Sequence, residues 1–177
     1  VPVSGGALKE GIVGTPRFIN PILAISDADK DLTALVYSGL MKHDNTGRLV
    51  TDLAESYTVS KNGLIYTFTI REDATFHDGE QVTADDVLFT ITKAKDPLQK
   101  SPKKINWEGV EAQKVDDRTV TFSLKKPYAS FLDNVTLGIL PMHVWKNLNP
   151  EEFTFSELNT DPIGSGPYEV RNVKKVS

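Results

Sequence analysis

The chain has 177 residues, enough for one domain with a substantial core. Its 20 Lys and Arg against 24 Asp and Glu give a formal net charge of -4, which disfavours a nucleic-acid partner. Cysteine is absent, which excludes thiol nucleophiles, disulfides and cysteine metal sites. No run approaches the roughly 20 apolar residues of a membrane span, so we expect no direct membrane insertion.

The first 40 residues predict a strand, a loop and a helix. Alternation of apolar and polar residues in "ALKEGIV" predicts a strand from Ala7 to Val13. Two prolines in "GTPRFINPILAIS" disfavour helix, so we expect a structured loop. Apolar residues at helical spacing, with Ser26 or Asp27 as the N-cap, predict a helix from about Asp27 to Ser38.

Three β-hairpins are predicted after this helix. The first, in "LMKHDNTGRLV", turns at 44–47, and the second, in "YTVSKNGLIYTFTI", turns at 62–63, where Asn-Gly favours a type I′ turn. Between them, Thr51 is expected to cap one helical turn. The third hairpin pairs Val110 to Val115 with Thr119 to Leu124.

Short helices and a final strand complete the predicted elements. Helical turns are expected in "YASFLDNV" and "PMHVWKNL", and Asn149 before Pro150 indicates a helix start. Trp107 and Trp145 are expected in the core. Alternation predicts a strand from Tyr168 to Val176, and a strand needs a neighbour, so we expect the chain to be a fragment.

The stretch "ATFHDGEQVTADDVLFTI" concentrates one histidine and four acidic residues. Thr83 and Asp86 are spaced as a capping box, and carboxylates in a first helical turn are favoured by the helix dipole. A catalytic or metal site would need a paired histidine, but His43, His77 and His143 are isolated in sequence. We therefore favour a structural role and expect no catalytic residues, no metal and no cofactor.

The remaining motifs give little support to an enzyme. "GSG" at 164–166 lacks the Lys-Ser/Thr of a phosphate loop, and Ser165 lies in no G-x-S-x-G elbow. A hydrolase using His77 or His143 stays an alternative that turnover assays on His→Ala variants would test. The lysines between 93 and 104 are interrupted by Pro97 and Pro102, which is typical of a solvated loop.

Several motifs occur in an order that is typical of one protein family. They are "LAES", "YTFTIRE", "F-x-DG-x-x-x-TADDV", "VDDRTVTFSLKKPYASFL" and "GSGPY". From about Leu8 to its last residue, the chain closely resembles the extracellular solute-binding proteins of family 5. These are the peptide- and nickel-binding components of bacterial ABC importers. In that family "DG…TADDV" is a scaffold motif, which agrees with the structural interpretation of the acidic stretch.

The resemblance implies an α+β fold with a mixed sheet, several hairpins and short helices, within a two-lobed periplasmic-binding-protein architecture. It implies three parts of the first lobe. Residues 1–40 begin a central subdomain, 41–160 form a peripheral hairpin-rich subdomain, and 161–177 start the return to the central subdomain. The second lobe and the C-terminal part are expected to be absent, so we expect weak or no solute binding by this chain alone.

The resemblance also implies a function and a site. The function is that of a solute-binding receptor, for an oligopeptide or dipeptide, in an ABC transporter. Position for position, the ligand contacts would be Ile25, Ser26, Asp27, Ala28 and Asp29, with Asp29 as a possible anchor for a peptide amino terminus. Ser26 and Asp27 are equally interpretable as plain helix caps. Weaker candidates are Thr136, Leu137 and Gly138.

Partners and location follow from the same resemblance. The expected partners are a small solute and a membrane permease, and the expected location is the periplasm or the outer face of the bacterial membrane, with a lipid anchor as an option. Alternative solutes are a nickel complex or a sugar, and an alternative of another class is a protein-interaction scaffold without transport. An edge strand exposed by truncation would allow dimerisation.

Overall fold

The structure is a computed structural model and describes residues 11–171. It has the predicted α+β composition. The helices are α1 (Asp27–Val36), α2 (Ala84–Lys95), α3 (Phe131–Asn134), α4 (Met142–Trp145) and α5 (Pro150–Phe155). The strands are β1 (Met41–His43), β2 (Leu49–Thr51), β3 (Ala54–Val59), β4 (Ile65–Ile70), β5 (Val110–Lys114) and β6 (Thr119–Leu124). Short 3-10 helices cover Pro97–Gln99, Lys104–Trp107 and Glu157–Asn159.

The main sheet has four antiparallel strands in the order β3-β4-β6-β5, and β1 pairs with β2 separately. Tyr66 lies opposite Phe122, and Phe68 lies opposite Val120. Alternate residues of β4 and β6 are buried, as expected for strands with one face on a core. The three predicted hairpins are thereby confirmed.

The core lies on the face of this sheet that α2 covers. Aromatic rings form its centre: Phe122 lies 5.5 Å from Phe131 and 5.9 Å from Trp107, between ring centroids. Trp145 is also fully buried, 4.3 Å from the ring of Phe153. The prediction that both tryptophans belong to the core is confirmed.

The turn of the second hairpin differs from the predicted one. A type I′ turn needs positive φ at both central residues, but Gly63 has φ 68° and Asn62 has no positive φ. The loop is longer: Gly63 N–H donates to Ser60 O, and Ser60 N–H donates to Ile65 O, both at 2.9 Å. Asn62 instead accepts the Ser60 hydroxyl and the Leu64 amide with its side chain.

Three further predictions need correction or fall outside the description. Thr51 caps no helical turn, because it ends β2 and a bend at Asp52 and Leu53 leads directly into β3. Of the strand predicted over 7–13, residues 11–13 form none, and 7–10 lie outside the described residues. Of the strand predicted over 168–176, residues 168–171 form none, and 172–176 lie outside the description.

Segments from the two ends of the described chain meet at α1. Ile19 N–H donates to Asn159 O at 2.8 Å, and the side-chain amides of Asn20 and Asn159 bond at 2.9 Å. Gly166 N–H donates to Val36 O at 2.7 Å. These contacts fix the loop before α1 against the end of the chain, and that loop contains the predicted site.

Candidate functional site

Asp29 shapes the loop that leads into α1. Its side chain is buried, with 3% of the residue exposed. Oδ1 accepts the amides of Arg17 at 2.7 Å and Phe18 at 3.1 Å. Oδ2 accepts the amides of Ser26 at 3.1 Å and Ile25 at 3.4 Å. One carboxylate therefore holds two stretches of backbone together.

The electrostatics of Asp29 agree with this geometry. Burial by itself raises the pKa of the carboxyl, but the amides of Phe18, Arg17 and Ser26 outweigh it and lower the pKa from 3.8 to about 2. Asp29 is consequently ionised and fully engaged with the backbone. The expectation that it anchors a peptide amino terminus is not supported, because both oxygens already have donors and point away from solvent.

The other predicted site residues differ in what they present. Ser26 is the N-cap of α1, since its Oγ accepts the Asp29 amide at 3.1 Å. Ile25 has 66% of its surface exposed, and Asp27 is exposed and pairs with Lys30 at 3.2 Å. The side chain of Ala28 is buried. Asp27 and Ala28 lie in the first helical turn, where amide N–H groups have no intrahelical acceptor.

A small cleft of about 170 Å³ lies beside this loop, and we call it the α1 cleft. Its lining includes Ala24 and, across from α1, the three weaker candidates Thr136, Leu137 and Gly138. A side chain at 138 would bring a Cβ within 2.6 Å of Tyr37 Cβ, so glycine is what allows this close approach. Thr136, Leu137 and Gly138 therefore line the α1 cleft, whereas none of the residues 25–29 does.

Sequence reasoning missed two hydroxyl groups in the α1 cleft. Thr33 and Tyr37 line it, and their hydroxyls are buried with no hydrogen-bond partner within residues 11–171. Burial raises the pKa of Tyr37, so the phenol stays a neutral donor. Thr33 lies on the buried face of α1 and Tyr37 directly follows the helix, in a segment where the sequence suggests core. The sequence signal that could have revealed these two hydroxyls is a polar group at a position expected to lie in the core.

Each of the three histidines has a hydrogen-bond partner. His77 Nδ1 accepts the Gly164 amide at 3.2 Å, which places the ring proton on Nε2, 2.9 Å from Gly166 O. His143 pairs with Asp78 at 2.8 Å, and His43 pairs with Asp133 at 3.1 Å. Within the described range, no three His, Asp or Glu side chains are grouped so as to hold a metal ion.

The acidic stretch at the start of α2 is also structural. Thr83 and Asp86 form the predicted capping box. The second oxygen of Asp86 accepts the Met142 amide at 2.7 Å, which ties α2 to α4. Asp85 forms an exposed pair with Lys114 at 2.7 Å. These contacts satisfy both carboxylates without a ligand.

Comparison with known proteins identifies the family. Residues 48–177 match the bacterial extracellular solute-binding proteins, family 5 Middle. The chain belongs to family 5. The expected resemblance is thereby confirmed, and the family consists of solute-binding receptors. In residues 11–171 no helix has the length and apolar character needed to cross a bilayer.

Two family 5 members illustrate the range of solutes. The oligopeptide-binding protein AppA of Bacillus subtilis is 33% identical over 178 residues, which cover 98% of this chain and 33% of AppA. Its crystal structure with a nonapeptide has a TM-score of 0.86 at 32% identity and covers 93% of this chain and 33% of that one. NikZ from Campylobacter jejuni, solved with Ni(L-His), has a TM-score of 0.81 at 35% identity. The match covers 95% of this chain and 32% of NikZ. The chain spans about a third of the length of these relatives.

Proposed function

We propose that the chain forms part of the first lobe of an oligopeptide receptor that serves an ABC importer. The observation that carries the proposal is the loop 25–28, which Asp29 holds in a fixed shape beside the α1 cleft. The similarity to AppA, whose structure holds a nonapeptide, supports a peptide as the solute. Peptides are commonly bound through backbone hydrogen bonds, which tolerate many side chains.

Within this loop, the ligand contacts differ from residue to residue. Ile25 offers an exposed apolar side chain, and the backbone amides of Asp27 and Ala28 have no hydrogen-bond acceptor within residues 11–171. Ala28 is only 2% exposed, so the more accessible of the two amides is that of Asp27. Ser26 caps the helix at the residue before those amides, while the buried Asp29 carboxylate fixes the loop by accepting the Ser26 amide. Thr136, Leu137 and Gly138 would contact solute that enters the α1 cleft.

An amide contact can be tested with two substitutions at one position. Asp27→Pro removes the backbone N–H at the first helical position, where proline is tolerated, and Ser26 already has the extended conformation that precedes proline. Asp27→Ala removes only the carboxylate. Both variants are made in the native gene product, meaning the protein as its gene encodes it, and titrated with pooled di- to pentapeptides. We expect the proline variant to bind the peptides roughly tenfold more weakly than wild type, a loss of about 1.4 kcal/mol. Alanine should bind as wild type.

Equal peptide binding by wild type and both variants would contradict the amide contact but leave the receptor assignment in place. Calorimetry gives the dissociation constants, and thermal unfolding of each variant without peptide checks that the fold is retained. Absence of peptide binding to the wild-type protein would contradict the peptide assignment itself.

A nickel complex is the second candidate solute, because NikZ is 35% identical and was solved with Ni(L-His). Titration of the native gene product with nickel and L-histidine separates the two candidates. Peptide binding without Ni-histidine binding supports the oligopeptide receptor, and the reverse supports the nickel candidate.

The domain division and the cellular context complete the proposal. We assign 1–40 and 161–177 to a central subdomain and 41–160 to a peripheral one, and contacts of Val36 and Leu35 with 166 and 168 support this pairing of the ends. The receptor would deliver solute to a permease from the periplasm or the outer face of the membrane, with a lipid anchor as one mode of retention. Dimerisation through an edge strand stays a prediction, which sedimentation at high concentration tests.

A further inference from the structure

A groove of about 730 Å³, separate from the α1 cleft, is lined in part by Ile25. Its other walls come from the 3-10 helix Pro97–Gln99 with Lys100 and from α5. The volume lies within the roughly 300 to 1,000 Å³ of typical ligand pockets. Ile25 belongs both to this groove and to the loop 25–28 that is proposed to contact peptide. A peptide bound at that loop could therefore extend continuously into the groove.

Three exposed apolar side chains surround this groove. Ile25, Leu98 and Phe155 have 66%, 68% and 86% of their surfaces exposed. A single exposed apolar residue is ordinary on a protein surface. Three that line the same groove give it an apolar character, which is typical of a binding surface. The charged lining residues Lys100 and Glu151 have opposite signs, so the groove favours no net charge in its occupant.

Gln99 supplies an independent observation at the same place. The residue is only 3% exposed, and neither its amide oxygen nor its amide nitrogen has a partner within residues 11–171. Buried polar groups without partners are costly and uncommon in folded proteins. A glutamine amide offers an acceptor and two donors, which complement the N–H and C=O of a peptide group.

We propose that this groove, called here the Gln99 groove, binds an uncharged apolar segment of a longer peptide solute. The segment places its side chains against Ile25, Leu98 and Phe155. The Gln99 amide, which is buried in the unliganded groove, turns towards the segment and bonds to one of its peptide groups. The inference rests on the proposed function, because it extends the path of the same peptide beyond the loop 25–28.

The test compares three synthetic probes on the native gene product by calorimetry. They are trialanine, a nonapeptide of alanine and serine, and the same nonapeptide with leucine at both ends. We expect the leucine-ended nonapeptide to bind more tightly than the alanine-serine one. Leu98→Ser should weaken binding of the leucine-ended nonapeptide roughly tenfold, equivalent to about 1.4 kcal/mol, and leave the affinity for trialanine unchanged. Ile105→Ser is the matched control, because Ile105 is also 68% exposed and lines neither cleft.

A second variant addresses the amide. Gln99→Leu keeps the approximate size of the side chain and removes its hydrogen-bonding groups, so we expect it to weaken both nonapeptides and spare trialanine. Thermal unfolding without peptide confirms that it folds. Unchanged nonapeptide affinity would mean that water alone satisfies the Gln99 amide, and would overturn its proposed contact.

The outcomes separate this inference from the proposed function. If all three peptides bind and neither Leu98→Ser nor Gln99→Leu alters the nonapeptides, the Gln99 groove is overturned and the peptide receptor stands. If no peptide binds to the wild-type protein, the proposed function fails first, and this inference fails with it. If Ile105→Ser weakens nonapeptide binding as much as Leu98→Ser does, the lost affinity reflects a general change of the surface. That result would overturn the proposed role of the Gln99 groove.

Discussion

At the scale of single residues, Asp29 makes the sharpest prediction. Its pKa of about 2 lies below the ordinary 3.8, so its contribution to stability is complete above about pH 4 and is lost as the pH falls through 2. A shift of this size corresponds to about 2 kcal/mol. We expect Asp29→Asn to lower the free energy of unfolding by about that amount at pH 7, in urea titrations.

The control for this prediction is Asp27→Asn, two residues earlier. Its side chain is 94% exposed and, within residues 11–171, hydrogen-bonds to Lys30 alone, so the change should stay within about 0.5 kcal/mol of wild type. The difference between wild type and Asp29→Asn should also shrink between pH 4 and pH 2. A pH-independent difference would show that the stabilisation does not come from the ionised carboxylate.

Gly166 gives a second prediction from close packing. A Cβ at this position would lie 2.6 Å from Leu35 O, in the backbone of α1, which cannot move as a side chain does. We expect Gly166→Ala to cost about 1–3 kcal/mol, as overpacking typically does, measured by chemical denaturation. Gly11→Ala is the comparison, since no atom of residues 11–171 lies within 4 Å of its added Cβ. Equal stabilities of the two variants would contradict the packing at 166.

What the sequence predicts at this scale depends on distance along the chain. Ser26 with Asp29, and Asn149 with Glu152, are caps formed by residues three apart, and such spacing is visible in a single sequence. The contact of His77 with Gly164 spans 87 residues, and no local pattern announces it. The orphan hydroxyl of Tyr37 is hidden for the same reason, because it depends on which segments pack against α1.

At the scale of elements, the strands of the three hairpins were predictable and their turns were only partly so, whereas residues 11–13 and 168–171 alternate without forming a strand. Alternation in β4 and β6 follows directly from burial of one sheet face. The turn at Asn62 depended on how Ser60 and Ile65 pair, which the dipeptide does not determine. Thr51 had a cap-like context, but β-pairing of Met41 with Thr51 prevailed over local helix propensity. Tertiary pairing decided each of these cases.

The junction of α2 and α4 provides the prediction at this scale. Asp86→Ala would leave the amides of Thr83 and Met142 without their acceptor, at a buried position. We expect the free energy of unfolding to fall by about 2–3 kcal/mol, from a lost cap and unsatisfied amides. Asp85→Ala removes a neighbouring exposed carboxylate and should change the free energy of unfolding by less than about 1 kcal/mol. Thermal denaturation of both variants distinguishes them, and equal losses would contradict the role of Asp86.

At the scale of the whole molecule, family and fold could be predicted from motif order, whereas the solute could not. The motifs around "LAES" and "TADDV" are scaffold elements, and the structure shows them forming the hairpins and the α2 cap. Two of the residues proposed to contact solute, Asp27 and Ala28, would do so through backbone amides, so their side chains carry little information about it. Relatives that bind a nonapeptide and Ni(L-His) accordingly share similar identity with this chain.

The central claim is that the protein is a peptide receptor, and ligand-dependent thermal unfolding tests it most directly. A solute that binds only the folded state stabilises it by about 2.7 kcal/mol at a hundredfold excess over the dissociation constant. The native gene product should therefore show a higher midpoint with pooled di- to pentapeptides, and no comparable rise with nickel and L-histidine. A midpoint unaffected by peptides but raised by Ni-histidine would contradict the claim.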